Sequence, residues 1–169
     1  MKAIILYYSE TGNTKKVAES LDKHFNIKSK SIIDYPDIKL NDYDLIIFGT
    51  PVHSDNIPEK VREFINKYEN LNKKFAIYCI HAGPESLLSH TKCLNAFQKL
   101  FNTKKGKVVG KLNILGENKN PEVIEWLRVN MPERYKILPY SHGHPDENDV
   151  NKAISWLGNI INNLSIESK

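Results

Sequence analysis

Short apolar runs alternate with amphipathic stretches along most of this chain, and this alternation most limits its possible fold. The runs at 2–8, 43–49 and 74–80 are apolar apart from Lys2, Asp44 and Lys74 at or near their starts, as expected of strands that are buried on both faces. In the stretches between them, apolar residues recur every three or four positions, which is typical of one face of a helix. The pattern predicts an α/β fold whose parallel sheet is covered by helices on both faces and joined by right-handed crossovers.

Two weaker segments complete the predicted sheet. Residues 27–33 alternate apolar and polar side chains weakly and predict an edge strand, and residues 106–115 predict a fifth strand that bends at Gly110. The last helix is predicted to begin after Asp146, because aspartate is a good N-cap residue and Asp149 follows three positions later, close to a capping-box arrangement.

The segment between the fifth strand and the last helix interrupts this rhythm, because its roughly thirty residues are too many for a plain connection. Within it, a short helix is predicted, capped by Asn120, opened by Pro121 and stopped by Pro132. Residues 135–140 predict an extra short strand. Since the sequence shows no internal repeat and no linker, one domain is expected over 1–169.

Composition argues against several classes of protein. No apolar run approaches the ~18 residues of a membrane span, and the first run is too short and too soon acidic to be a signal peptide. Cys79 and Cys93 form no disulfide framework and no CxxC metal pair, so they predict small core residues in a reducing, cytoplasmic setting. His142, His144 and Asp146 are better explained by a turn before the last helix, and no metal site is expected.

The net charge of +4 is spread over many lysines. The sequence contains no arginine-rich arm, zinc finger or aromatic RNA-binding pattern, so binding to nucleic acid is not expected. A solvated surface is favoured, and attraction to an acidic partner stays open.

A cluster of small polar residues lies at the first strand-to-helix corner, in the sequence SETGNT at 9–14. Ser9, Thr11 and Thr14 bring hydroxyls, Asn13 brings an amide, and Gly12 allows the backbone to turn close to a ligand. A single N-cap needs only one such residue. Since a helix N-terminus also offers free N–H groups and a partial positive charge, the corner predicts a phosphate site.

Two common phosphate motifs are absent from the chain. It has no GxxxxGK[ST] loop, which argues against a nucleoside triphosphatase, and no GxGxxG fingerprint, which weakens a dinucleotide interpretation.

The corner resembles the phosphate loop of the flavodoxin family, commonly (T/S)-x-T-G-N-T. Residues 43–65 and 75–86 resemble that family's third and fourth strands with their flavin loops, and residues 143–161 resemble the final helix of its longer members. The likeness spans nearly the whole chain. It implies a three-layer, doubly wound sandwich with a five-stranded parallel sheet in the order 2-1-3-4-5, and FMN at the carboxyl edge of that sheet.

The resemblance also implies which residues bind FMN. The phosphate would be held by Ser9, Glu10, Thr11, Gly12, Asn13 and Thr14. One side of the isoalloxazine would be lined by Thr50, Pro51, Val52, His53 and Ser54, and the other by His81, Ala82, Gly83 and Pro84. The resemblance assigns no catalytic residue.

This chain departs from the family pattern in both flavin loops. Neither loop carries the Trp or Tyr that often stacks on the flavin, so His53 is either a stacking residue or an ordinary exposed histidine. Family members commonly have a glycine near the flavin N5, but none occurs at 50–58, so Asp55 or Asn56 would have to adopt a positive φ.

Three functions are consistent with these features. The resemblance favours an electron-transfer protein that passes electrons between redox partner proteins through non-covalently bound FMN. The alternative is an FMN-dependent oxidoreductase acting on a small molecule of the quinone or porphyrinogen type, with residues 116–145 as a substrate wall. The third is a binding module that has lost tight flavin binding. The sequence indicates neither the redox partner nor the oligomeric state.

Overall fold

A central sheet of five parallel strands organises the computed structural model, which describes residues 1–166. The strands are β1 (Ala3–Tyr7), β2 (Ser29–Ser31), β3 (Leu45–Pro51), β4 (Lys74–His81) and β5 (Lys107–Leu115). Their order in the sheet is β2-β1-β3-β4-β5, and each neighbouring pair is parallel. The predicted fold class and strand order are confirmed.

Helices cover both faces of this sheet. They are α1 (Asn13–Phe25), α2 (Glu59–Asn66), α3 (Ser89–Thr103), α4 (Pro121–Asn130), α5 (Pro132–Lys136) and α6 (Glu147–Ile166). The side chains of β1 alternate, so Ile4 and Leu6 pack with α2 and α3, whereas Ile5 packs with α1 and α6 on the opposite face. The result is the predicted sandwich of three layers. None of the helices within 1–166 is long and apolar enough to cross a membrane.

One strand prediction needs adjustment and another is confirmed. The paired part of β2 is shorter than predicted, since only residues 29–31 pair with β1. β5 bends as predicted near Gly110, because Phe75 pairs with Val108 while the next residue of β4 pairs with Gly110, which leaves one extra residue in β5.

The segment between β5 and α6 contains α4, α5 and a 3-10 turn joined by irregular stretches, and the predicted strand at 135–140 is wrong. The predicted helix is confirmed as α4, because the Asn120 side chain accepts hydrogen bonds from the backbone N–H groups of Glu122 and Val123. The supposed strand is instead the end of α5 and a 3-10 turn over Leu138–Ser141. Pro139 lacks the N–H that a strand would need, and the N–H of Tyr140 donates to the carbonyl of Ile137.

The start of α6 confirms the predicted cap. The backbone N–H of Asp149 donates to the Asp146 carboxylate at 3.0 Å, and that of Asp146 donates to the Asp149 carboxylate at 2.9 Å. His144 Nδ1 also lies 2.5 Å from Asp149 Oδ2. His144, Asp146 and Asp149 have possible ligand atoms within 4.8 Å of one another, but their hydrogen bonds are those of a helix cap. His142 lies outside this group.

Candidate functional site

The corner between β1 and α1 leaves the N-terminus of α1 open. Gly12 precedes the helix with φ 90° and ψ −12°, a left-handed conformation that side chains with a Cβ rarely adopt. No side chain within 1–166 accepts a capping hydrogen bond there, and the first turn carries no acidic residue. Ser9 Oγ is buried and has no hydrogen-bond partner among the described residues. The first-turn N–H groups and Ser9 Oγ are therefore donors without internal acceptors, whereas the Asn13 amide donates to the Glu117 carbonyl.

Such a cluster of donors is costly unless an acceptor binds to it. A buried polar group without a partner costs about 1–3 kcal/mol. The free N–H groups of the first turn and the helix dipole favour an anion at the same place. An ordinary N-cap would have shown a side-chain acceptor, so the structure favours an anion site over a capping role for these hydroxyls.

A cavity of about 380 Å³, the inner cavity, opens directly beside this corner. Its lining includes most of the predicted phosphate and flavin residues, namely Ser9, Glu10, Thr11, Asn13, Thr14, Pro51, Val52, His53, Ser54, His81 and Ala82. They meet because β1, β3 and β4 all end at the same edge of the sheet.

A second cavity of about 730 Å³, the outer cavity, continues from the first and shares Val52, Ser54, His81 and Ala82 with it. Gly83 and Pro84 line this outer cavity. Two of the predicted site residues in the described part of the chain line neither cavity: Gly12 contributes only its backbone turn, and Thr50 is fully buried within β3.

A hydrogen-bonded chain joins the first corner to the loop after β3. The Tyr8 hydroxyl donates to Glu10 Oε1 at 2.8 Å, and His53 Nε2 lies 2.7 Å from Glu10 Oε2. Burial together with the bond to Glu10 raises the pKa of Tyr8 to about 12. The His53 side chain remains 43% exposed. His53 is thus an exposed histidine that is held in place at the cavity rim, and the Glu10 carboxylate braces the two loops.

The loop after β3 contains a tight hairpin turn. His53 and Asn56 exchange two backbone hydrogen bonds of 2.8 Å, and the two residues between them, Ser54 and Asp55, have φ of 46° and 65°. Two consecutive positive φ values are the mark of a type I′ turn. The expected positive φ is therefore at Asp55 and not at Asn56. The positive φ of Ser54 was not predicted.

The carboxylate of Asp55 anchors this turn to α3. It accepts hydrogen bonds from Ser89 Oγ at 2.5 Å and from Lys92 Nζ at 2.9 Å. These two bonds hold the pKa of Asp55 below its ordinary value. These bonds to α3 therefore hold in place the turn that borders both cavities.

His81 is the buried polar residue at the end of β4. Burial, with the nearby charge of His90 as the next cause, lowers the pKa of His81 to about 4, so the ring is neutral at pH 7. Nδ1 lies 3.0 Å from the Gly83 carbonyl and must donate to it, which leaves Nε2 to accept from Asn113 Nδ2 at 3.4 Å. His81 thus shapes the loop after β4 and supplies no charge to the cavities.

The predicted site residues include none of those after β5 that complete both cavities, although the oxidoreductase alternative placed a substrate wall within 116–145. Asn13 Nδ2 donates to the Glu117 carbonyl at 2.7 Å, which ties the start of α1 to this segment. Gly116 packs so closely on Ile80 that a Cβ would lie 2.2 Å from Ile80 Cγ2. Asn118 and Val123 line both cavities. The apolar stripe of α4 was visible in the sequence, but the pattern did not indicate which of its residues face a cavity.

Comparisons with known proteins agree with this geometry. A family model described as a flavodoxin domain matches residues 4–110. The flavodoxin-like domain-containing protein BilS from Clostridioides difficile is 24% identical over 185 residues, covering 98% of this chain and 99% of BilS. A flavodoxin from Maridesulfovibrio salexigens is 25% identical over 138 residues, covering 74% of this chain and 93% of its own.

Solved structures show the same fold. Oxidised flavodoxin 1 from Bacillus cereus superposes with a TM-score of 0.64 at 15% identity, covering 96% of this chain and 98% of the other. A flavoprotein from Lactobacillus acidophilus, solved in complex with FMN, superposes with a TM-score of 0.55 at 22% identity, covering 74% and 97% respectively.

Proposed function

Since the chain belongs to the flavodoxin domain family, we propose that it binds FMN non-covalently and transfers electrons between redox partner proteins. The phosphate binds at the N-terminus of α1, and the flavin extends along the carboxyl edge of the sheet between the loops after β3 and β4. Bound FMN would supply one- and two-electron redox chemistry.

The observation that carries this proposal is the set of unsatisfied donors at the first corner. The open N-terminus of α1 and the unpartnered Ser9 Oγ, both within the described residues, fit the oxygens of a phosphate. The two lysines of the first turn already have partners, since Lys15 pairs with Glu19 and Lys16 Nζ donates to the Pro145 carbonyl. The proposed phosphate site therefore uses hydroxyls and backbone N–H groups and no lysine. Each hydrogen bond to an ionised oxygen contributes about 1.5–3 kcal/mol, so that several suffice to hold a dianion.

The remaining site residues orient the cofactor rather than react with it. His81 is neutral at pH 7 and is held by Gly83 and Asn113, so it provides a fixed polar wall without a proton to transfer. The turn at Ser54 and Asp55 is fixed by α3, which defines the opposite wall. We propose a cytoplasmic location, since Cys79 and Cys93 are free and buried. A net charge of +4 would favour an acidic redox partner.

Flavin analysis of the purified protein tests this proposal. We expect a yellow protein that releases about one FMN per chain on denaturation, identified by chromatography against FMN, FAD and riboflavin standards. Purified protein without flavin should bind added FMN and quench its fluorescence. A colourless protein that fails to bind FMN would refute the proposal and favour a binding module.

The outer cavity favours a second candidate, an FMN-dependent oxidoreductase acting on a small molecule of the quinone or porphyrinogen type. A carrier needs only an exposed flavin edge, whereas here α4 and the segment after it add a largely apolar wall to the 730 Å³ cavity that the two flavin loops also line. A volume of this size is typical of a small-molecule site. Rapid turnover of a quinone with NAD(P)H would favour the enzyme, and its absence, with efficient electron delivery to a protein acceptor, would favour the carrier.

A further inference from the structure

The outer cavity has an apolar wall that the flavin loops do not provide. Beyond the loops after β3 and β4, it is lined by Leu87, Trp126, Leu127, Met131, Ile137 and Leu138. Apolar lining with a few polar groups is the usual composition of a site for a small organic molecule.

The helix α4 forms this wall without being packed into the core. None of its ten side chains, all within the described part of the chain, is buried. Trp126 is 54% exposed and Val123 is 40% exposed, although both line the cavity. An amphipathic helix gains stability mainly by burying its apolar face. The apolar face of α4 therefore lacks the cover that a ligand in the outer cavity would give it.

One cation lines this apolar space. Arg134, at the start of α5, is half-buried, and its guanidinium donates no hydrogen bond and forms no ion pair with any of residues 1–166. Arginine seldom lines an apolar cavity unless it is paired, because its five donors then lack acceptors. Arg134 is thus the group in this cavity that most needs an anionic partner.

The carboxylates of the cavity do not satisfy Arg134. Asp55 lies near enough for Arg134 to help lower its pKa, but its carboxylate bonds to Ser89 and Lys92 and forms no ion pair with Arg134 among the described residues. Asp55, Lys92 and Arg134 together carry one excess positive charge. Glu122 lies in the first turn of α4, roughly 12 Å along the axis from the far end of that helix, beyond which Arg134 follows. The Arg134 end of the cavity is therefore positive.

We propose that the outer cavity binds a small, planar, apolar molecule that carries one carboxylate or sulfonate group, and that Arg134 binds this anion. The ring system lies against Trp126 and Leu127, beside the flavin. This inference rests on the proposed function in one respect, since it assigns the inner cavity and the adjoining loops to FMN and the space beneath α4 to the second molecule. It deepens the oxidoreductase candidate by naming the chemical class of its substrate.

The test measures binding of a matched pair of probes, 2-naphthoate and neutral 2-naphthol, to the oxidised, FMN-loaded protein by isothermal titration calorimetry. No redox reaction occurs with these probes, so the readout is an equilibrium constant. We expect Arg134→Gln to weaken 2-naphthoate binding about tenfold, because a hydrogen-bonded ion pair is lost, and to change 2-naphthol binding less than twofold. Arg134→Lys keeps the charge and should weaken 2-naphthoate binding only about threefold.

Arg128→Gln is the matched control. Arg128 lies on α4 but pairs with Glu125, with Nε 2.8 Å from Oε2, and does not line the cavity. This variant should bind both probes as the wild type does. Thermal unfolding of each variant checks that it is folded, and the 2-naphthol titration reports an intact cavity in the same sample.

The outcomes separate this inference from the proposed function. If 2-naphthoate binds the flavin-free protein in competition with FMN and does not bind the FMN-loaded protein, the cavity belongs to the flavin alone, and the inference is overturned while FMN binding stands. If the protein binds no FMN but binds 2-naphthoate in an Arg134-dependent way, the proposed function fails and the inference survives. Absence of 2-naphthoate binding at millimolar concentration, or equal binding by Arg134→Gln, overturns the inference.

Discussion

Replacing Ser9 by alanine should weaken FMN binding and, at the same time, stabilise the protein without flavin. The Ser9 hydroxyl is buried and has no partner among residues 1–166, so it is free to bond to a phosphate oxygen. A hydrogen bond to a charged group contributes about 1.5–3 kcal/mol, which corresponds to an FMN Kd raised roughly tenfold to 150-fold in Ser9→Ala.

The effect on stability has the opposite sign. Without FMN, the buried hydroxyl has lost its contact with water and gained no bond, so its removal should raise the free energy of unfolding by about 1 kcal/mol. For a domain of this size, that corresponds to a Tm increase of about 2–4 °C. A residue that served only as a helix cap would show a loss of stability instead.

The assay combines titration of the flavin-free protein with FMN, followed by fluorescence quenching, and thermal unfolding without FMN. Ser20→Ala is the control, since Ser20 lies on the same helix and its hydroxyl already donates to the Lys16 carbonyl at 2.8 Å. That variant should bind FMN as the wild type does. An FMN affinity of Ser9→Ala within twofold of wild type, or a lower Tm of its flavin-free form, would contradict the reasoning.

Three further predictions concern the cap, the buried histidine and the segment after β5. Asp146→Ala removes the carboxylate that caps the Asp149 N–H at the start of α6 and should lower the free energy of unfolding in urea by about 1–2 kcal/mol with FMN affinity unchanged; a loss below about 0.3 kcal/mol would show this bond to be unimportant. Because the pKa of His81 falls from 6.5 to about 4 on folding, the unfolded chain binds more protons between these values. Stability should therefore fall as the pH is lowered from 6.5 towards 4, and His81→Gln should reduce the loss between pH 7 and pH 5 by about 1–2 kcal/mol; identical pH profiles would exclude this cause. Gly116→Ala places a Cβ 2.2 Å from Ile80 Cγ2, so we expect a loss of about 1–3 kcal/mol in urea unfolding and weaker FMN binding, and an unchanged variant would contradict the close packing.

The buried sheet was the most predictable part of the structure. A mostly apolar run such as 43–49 is stable in a chain of this kind only as a strand buried between two layers of helices. The cap at Asp146 and the helix opened by Pro121 were equally clear, because both depend on local backbone chemistry.

Local patterns failed where tertiary contacts decide the conformation. Residues 135–140 combine apolar and aromatic side chains, as an edge strand does, yet Pro139 and the preceding helix lead them into a turn. The positive φ of Ser54 depends on the hairpin between His53 and Asn56, and the fixed position of that turn depends on α3, so a single loop sequence could not reveal it.

The candidate site was also predictable only in part. The donors at 9–14 were evident as a cluster of residue types, and the structure brings most of them to one cavity. The roles of Glu10 and Asn13 were not evident, since each depends on a partner more than forty positions away, His53 and Glu117. The cavity beneath α4 depends on where a whole helix is placed, which no local pattern encodes.

The most direct test of the central claim compares the affinities of FMN and riboflavin for the flavin-free protein under identical conditions. The two ligands differ only in the phosphate, so their ratio of affinities measures the contribution of the corner at 9–14. Several charge-assisted hydrogen bonds of about 1.5–3 kcal/mol each predict that FMN binds at least a hundredfold more tightly. Equal affinities for FMN and riboflavin would contradict the claim that the open N-terminus of α1 is a phosphate site.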